Sequence, residues 1–74
     1  MRNYLKELRE KLNLTQAEVA KELDISESYY SLIEKGERQQ NLNLPFVAKI
    51  SKVFKVSIDY IVTEEELLKQ SGSI

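Results

Sequence analysis

Residues 16–35 read QAEVAKELDISESYYSLIEK, and they decide the fold. Thr15 stands just before them, with Glu18 three positions on. That spacing predicts a capping box, in which each side chain bonds the other residue's backbone N–H. Val19, Ala20 and Leu23 then give this helix one small apolar face, and it is expected to end near Asp24. Ser26 is placed to cap the next helix, which runs to Lys35 and stops at Gly36. Its inward residues are Tyr30 and Ile33, with Ile25 as an anchor ahead of it.

Two helices of about eight residues joined by a turn of roughly three or four residues make a helix-turn-helix. So short a turn forces a steep crossing, and the side chains needed for it are present. Ala20 is small where the backbones approach, and Val19, Leu23, Ile25, Tyr30 and Ile33 supply the shared apolar angle. Asp24 opens the turn, and Asp tolerates the positive φ required there better than most residues. The second helix of such a unit can enter a DNA major groove.

The flanking sequence reads as further short helices. With two Gly, one Pro and no long strict alternation, nothing argues for a strand. Helix one is expected from about Arg2 to Leu12, burying Leu5, Leu8 and Leu12, with Asn13 as its left-handed stop. Residues 37–43, ERQQNLN, form a loop. Asn43 caps helix four, which tolerates Pro45 in its first turn. This helix buries Val47, Ile50 and Phe54, with Leu44 at its start. Ser57 caps helix five, whose inner residues are Ile58 and Ile61. Thr63 and Glu66 suggest a second capping box and a short sixth helix through Leu67 and Leu68 to about Gln70, ahead of a frayed SGSI. The fold class expected is all-α: five compact helices and a possible short sixth. Residues 1–63 form the domain, residues 16–35 its helix-turn-helix, and residues 64–74 an extension.

Composition narrows the function. The 74 residues carry 42% hydrophobic and 31% charged side chains, as an ordinary globular chain does. No Cys and no His are present. Thiolate and imidazole metal sites, Ser–His or Cys–His nucleophile pairs and a neutral-pH proton shuttle are therefore excluded. No apolar run approaches the roughly 18 residues of a membrane span. The opening MRNYLKELRE is charged throughout, unlike a secretory signal, so a cytoplasmic protein is expected. The net charge is -1 but uneven. Setting aside residues 64–74 leaves ten Lys/Arg against nine Asp/Glu, a net of +1. That balance permits a local basic face. Lys49, Lys52 and Lys55 lie on adjacent turns of helix four and read as a solvated surface.

The segments LRE, LTQAEVAKELDIS, YYSLIEKGER and VSIDYI lie in an order and spacing that resemble the phage-repressor-like Cro/CI helix-turn-helix domains, the XRE family. The resemblance spans about residues 4–62. It implies a five-helix domain that binds operator DNA as a dimer. It places Gln16 on a phosphate and against a recognition side chain. Ser26, Glu27, Ser28 and Leu32 match positions that meet bases or flanking phosphates. Glu27 would accept from a cytosine amine and Leu32 would pack on a thymine methyl. Tyr29 is expected to reach a phosphate or sugar through its hydroxyl, whereas Tyr30 belongs to the core. Lys35, Arg38, Gln39 and Gln40 suit phosphate neutralisation. Arg9 and Glu34 match a structural ion pair between helix one and the end of helix three. Tyr60, Ile61, Val62, Leu67 and Leu68 fall where such domains dimerise. Asp24 and Lys55 stand where the family often has Gly, and the loop at residues 39–43 is slightly long.

The leading expectation is therefore a sequence-specific regulator of transcription, a repressor acting as a homodimer on a near-palindromic duplex site. A protein-interaction module on the same scaffold, such as an antitoxin or partner domain, is the alternative, favoured by the mild acidity and by Glu27. Glu64, Glu65 and Glu66 sit in a first helical turn, where acids belong for dipole reasons, so they do not argue for an enzyme. No cofactor, metal, small-molecule ligand or membrane contact is implied.

Overall fold

Each helix start is set by one side chain. In the computed structural model, which describes residues 1–39 and 42–71, the Thr15 hydroxyl accepts from the Glu18 amide at 3.1 Å. The Glu18 carboxylate accepts from the Thr15 amide at 2.8 Å. Ser26 accepts from the Tyr29 amide, Asn43 from that of Phe46 and Ser57 from that of Tyr60, at 2.9–3.1 Å. These caps open α2 (Gln16–Leu23), α3 (Glu27–Lys35), α4 (Leu44–Phe54) and α5 (Ile58–Ser71). The exception is α1 (Asn3–Lys11), which has no side-chain cap. The described residues contain no strand, and the fold is all-α.

The helix ends depend on left-handed residues. Asn13 (φ 57°), Asp24 (φ 60°), Gly36 (φ 81°) and Lys55 (φ 58°) turn the chain out of α1, α2, α3 and α4. Only Gly36 takes this conformation without strain from its own side chain. Asn and Asp tolerate it, whereas Lys gains no local hydrogen bond to offset the cost.

The core is Tyr4, Leu5, Val19, Ala20, Leu23, Tyr30, Ile33, Val47, Ile50, Phe54 and Ile61. α2 packs on α3 and α4, α4 on α5, and α1 on α3. Ala20 is 2% exposed between the crossing helices, where a larger side chain would push them apart.

Four expectations are corrected. Leu12 is exposed, because α1 stops at Lys11 and Asn13 then swings the chain; Leu14 packs on the core instead. Leu44 is 66% exposed, since the first turn of α4 overhangs the core. Ile58, opening α5, is likewise exposed, and Ile61 one turn later is fully buried. Residues 64–71 continue α5 instead of starting a sixth helix. No Gly or Pro interrupts residues 58–71, and Glu65 is held from outside the helix by Arg2 and Tyr4, so Thr63 stays helical. The frayed SGSI lies largely outside the described residues.

Lys55→Gly is expected to stabilise the fold by about 0.5–1 kcal/mol, and Asp24→Gly by less, because Asp suits the left-handed region better. Urea denaturation midpoints measure both; a lower midpoint for Lys55→Gly would contradict the strain assigned there.

Candidate nucleic-acid interface

α3 has a sealed side and an open side. Tyr30, Ile33 and Glu34 are buried. Glu27, Ser28 and Lys35 are exposed, and Tyr29, Ser31 and Leu32 are half-buried. Gln16, Glu27, Ser28, Ser31, Leu32 and Lys35 line one shallow depression between the start of α2 and the open side of α3. Five of these six are expected from the sequence. Ser31 is the one missed, although it lies one helical turn from Glu27 and one turn from Lys35, a spacing that shares a face.

This surface has the chemistry of a base-edge reader. Ser28 and Ser31 donate and accept, Glu27 only accepts, and Leu32 offers methyl groups. Lys35 supplies a cation at the far end. The first-turn amides of α2 precede any intrahelical acceptor and carry partial positive charge, which suits a phosphate.

Other expected contacts are already engaged. The Ser26 hydroxyl accepts from the Tyr29 amide, which leaves its proton and one lone pair for another partner. The Gln39 amide donates to the Tyr29 hydroxyl at 2.6 Å, so Gln39 braces Tyr29 while the Tyr29 proton points elsewhere. Gln39 holds a left-handed φ of 53°. Arg38 is exposed just before it. Gln40 lies outside the described residues.

Behind the open face is a buried carboxylate. Glu34 is 2% exposed. It accepts from Arg9 Nε at 2.8 Å and Arg9 Nη2 at 3.4 Å, and from Gln16 Nε2 at 3.1 Å. Arg9 Nη1 also donates to the Leu14 carbonyl at 3.2 Å. Burial pushes the Glu34 carboxyl up, but the donors on Arg9 and Gln16 and the Arg9 charge outweigh it and hold its pKa below the ordinary value. The Glu34 hydrogen bond in turn raises Arg9. Burial, then the adjacent carboxylate, raise Tyr30 well above its usual range, so it stays neutral. Gln16 is thus a bridge from α2 to α3 as well as a wall of the depression.

On α5, Tyr60, Val62 and Leu67 are exposed. Leu68 packs on the core and is half-buried. Ile61, expected at a dimer contact, is fully buried, so its side chain has no surface to offer a second copy. Tyr60 meets Tyr4 edge-on, with ring centroids 6.4 Å apart.

A model of the helix-turn-helix family HTH_3 matches residues 5–61. An uncharacterized HTH-type transcriptional regulator of Archaeoglobus fulgidus is 39% identical over 69 residues, covering 90% of this chain and 94% of the relative. Another, of Methanocaldococcus jannaschii, is 42% identical over 66 residues, covering 89% and 97%. The control protein C.MunI of a Mycoplasma species is 37% identical over 65 residues, covering 86% and 85%. No solved structure gives a significant match.

Glu34→Ala strands Arg9 in a nearly closed site and is expected to cost about 3–5 kcal/mol. A carboxyl with a lowered folded pKa stabilises fully above its unfolded value of 4.5 and loses that contribution as pH falls through the folded one. Thermal unfolding between pH 7 and pH 2 should therefore show an acid loss that is smaller in Glu34→Gln than in wild type. Equal acid sensitivity of the two would contradict this assignment.

Proposed function

The chain belongs to the HTH_3 family of helix-turn-helix transcriptional regulators, and we propose that it is a repressor that binds a near-palindromic duplex site as a homodimer. Members of this DNA-binding family are regulators, not enzymes. The observation that supports the proposal most is the open depression of Gln16, Glu27, Ser28, Ser31, Leu32 and Lys35, backed by a sealed core.

In this reading α3 enters the major groove from its N-terminal end. Glu27, Ser28 and Leu32 meet base edges, and Ser31 joins them. Gln16, Ser26, Tyr29, Lys35 and Arg38 hold phosphates or sugars; Gln39 serves by holding Tyr29. Phosphate contacts set the register and base contacts choose the sequence. Glu27 repels phosphate and accepts from a cytosine amine, so it makes specificity at some expense of affinity.

Residues 1–63 carry the DNA-binding unit, and residues 64–71 extend α5, the helix used for pairing. One such module makes a small interface, about 600–1,000 Å², so a second copy supplies much of the affinity. Tyr60, Val62 and Leu67 are the exposed apolar side chains of α5 suited to that contact. Two-fold pairing places the recognition helices in successive major grooves, about 34 Å apart. We place this work in the cytoplasm; no described helix is long and apolar enough to cross a membrane.

Electrophoretic retardation of duplex DNA across a salt series tests the reading. The affinity should fall steeply with salt, and removing both Lys35 and Arg38 should reduce the slope by about two. Val62→Glu should shift sedimentation from dimer to monomer and weaken binding. Absence of retardation at low salt would overturn the DNA reading, and a monomeric wild type would overturn the pairing.

A further inference from the structure

Arg2 precedes the first helix, yet it is 3% exposed. Its backbone amide donates to the Glu34 carbonyl at 2.7 Å. All five guanidinium N–H groups are spent. Nε donates to Glu65 Oε2 at 2.9 Å and Nη2 to Glu65 Oε1 at 3.2 Å. Nη1 donates to the carbonyls of Ile33 at 2.7 Å and Arg38 at 3.1 Å. The second Nη2 proton goes to the Gln39 carbonyl. Glu65 Oε2 also accepts from the Tyr4 hydroxyl at 2.5 Å.

The carbonyls define what this cluster does. Ile33 lies in the last turn of α3, where acceptors lack intrahelical donors. Arg38 and Gln39 lie in the non-helical chain beyond Gly36. That chain holds itself by two bonds to one acceptor, from the Glu37 and Arg38 amides to the Leu32 carbonyl. Arg38 carries an exposed cation, and Gln39 braces Tyr29. A guanidinium whose charge is matched by Glu65 and which is closed to solvent does not attract DNA itself.

We propose that Arg2 is a positioning residue for DNA binding: held by Glu65 of α5, it fixes the backbone of Arg38 and Gln39 so that the side chains beside the recognition helix are set before duplex arrives. The inference rests on the DNA reading above. Its energetic basis is preorganisation, because a segment already ordered loses less conformational entropy on binding. Lys cannot replace Arg here. Its three donors do not span Glu65 and three carbonyls held in a fixed fork.

The test is a double-mutant cycle of Arg2→Lys with Arg38→Ala, read as duplex affinity over a salt series at about 10 °C, with the folded fraction checked by circular dichroism. Arg2→Lys should weaken binding roughly tenfold or more and reduce the salt slope by about one. Adding Arg38→Ala to the Arg2→Lys variant should then cost little further, because the Arg38 contact is already lost. Amide exchange at Arg38 and Gln39 should accelerate in Arg2→Lys while α2 stays protected. If Arg2→Lys does not fold, the pair Arg2→Met with Glu65→Leu replaces the ion pair by apolar groups, and the same losses are expected.

Wild-type affinity and slope in Arg2→Lys would overturn the proposal, as would full additivity with Arg38→Ala. Failure of the wild type to bind duplex would remove the DNA reading, and this inference with it.

Discussion

Glu34 takes hydrogen bonds from Arg9 of α1 and Gln16 of α2 while itself belonging to α3. Three helices therefore converge on one buried carboxylate. The apolar core brings α2 and α3 together but is tolerant of small rotations, because apolar contacts have little direction. The charge-assisted bonds do have direction. They fix which way α3 faces, and hence that Glu27 and Ser28 point outward together with Gln16. A carboxylate buried without these donors would be costly enough to reopen the helix pair.

A second polar cluster meets the first at the same place. The Arg2 amide bonds the Glu34 carbonyl, and the Arg2 side chain bonds Ile33, one residue earlier. The rear of α3 is thus held by two Arg–Glu pairs, one near α2 and one near α5. The eleven buried apolar side chains among the described residues form a small core for such a job. Polar bracing of this kind adds orientation where bulk hydrophobic area is short. It also connects α5, the helix proposed for pairing, with the segment that leaves α3.

What the sequence reveals follows from distance along the chain. The caps at Thr15, Ser26, Asn43 and Ser57 are local, each joining residues three apart, and all are legible. The turn at Asp24 is legible for the same reason. Helix periodicity names a face but not how far the core reaches along it, so Leu12, Leu44 and Ile58 read as interior yet lie at the overhanging ends of helices. The break expected at Thr63 fails because a cap motif has force only where the chain is free to leave the helix. Glu65 is held by Arg2 across 63 positions, a pairing that no local pattern encodes. On the candidate interface, residues at helical spacing are legible. The Tyr29–Gln39 bond, which turns a supposed phosphate contact into a brace, depends on how the chain folds back after Gly36.

In the proposed function the open face of α3 reads the edges of base pairs. Selection of bound duplexes from a random pool addresses it most directly. Enrichment of a two-fold symmetric site with half-site centres about one helical turn apart is expected, with a changed consensus within the half-site in the Glu27→Gln variant. A pool that stays random after repeated rounds at low salt, or an unchanged consensus with Glu27→Gln, would contradict it.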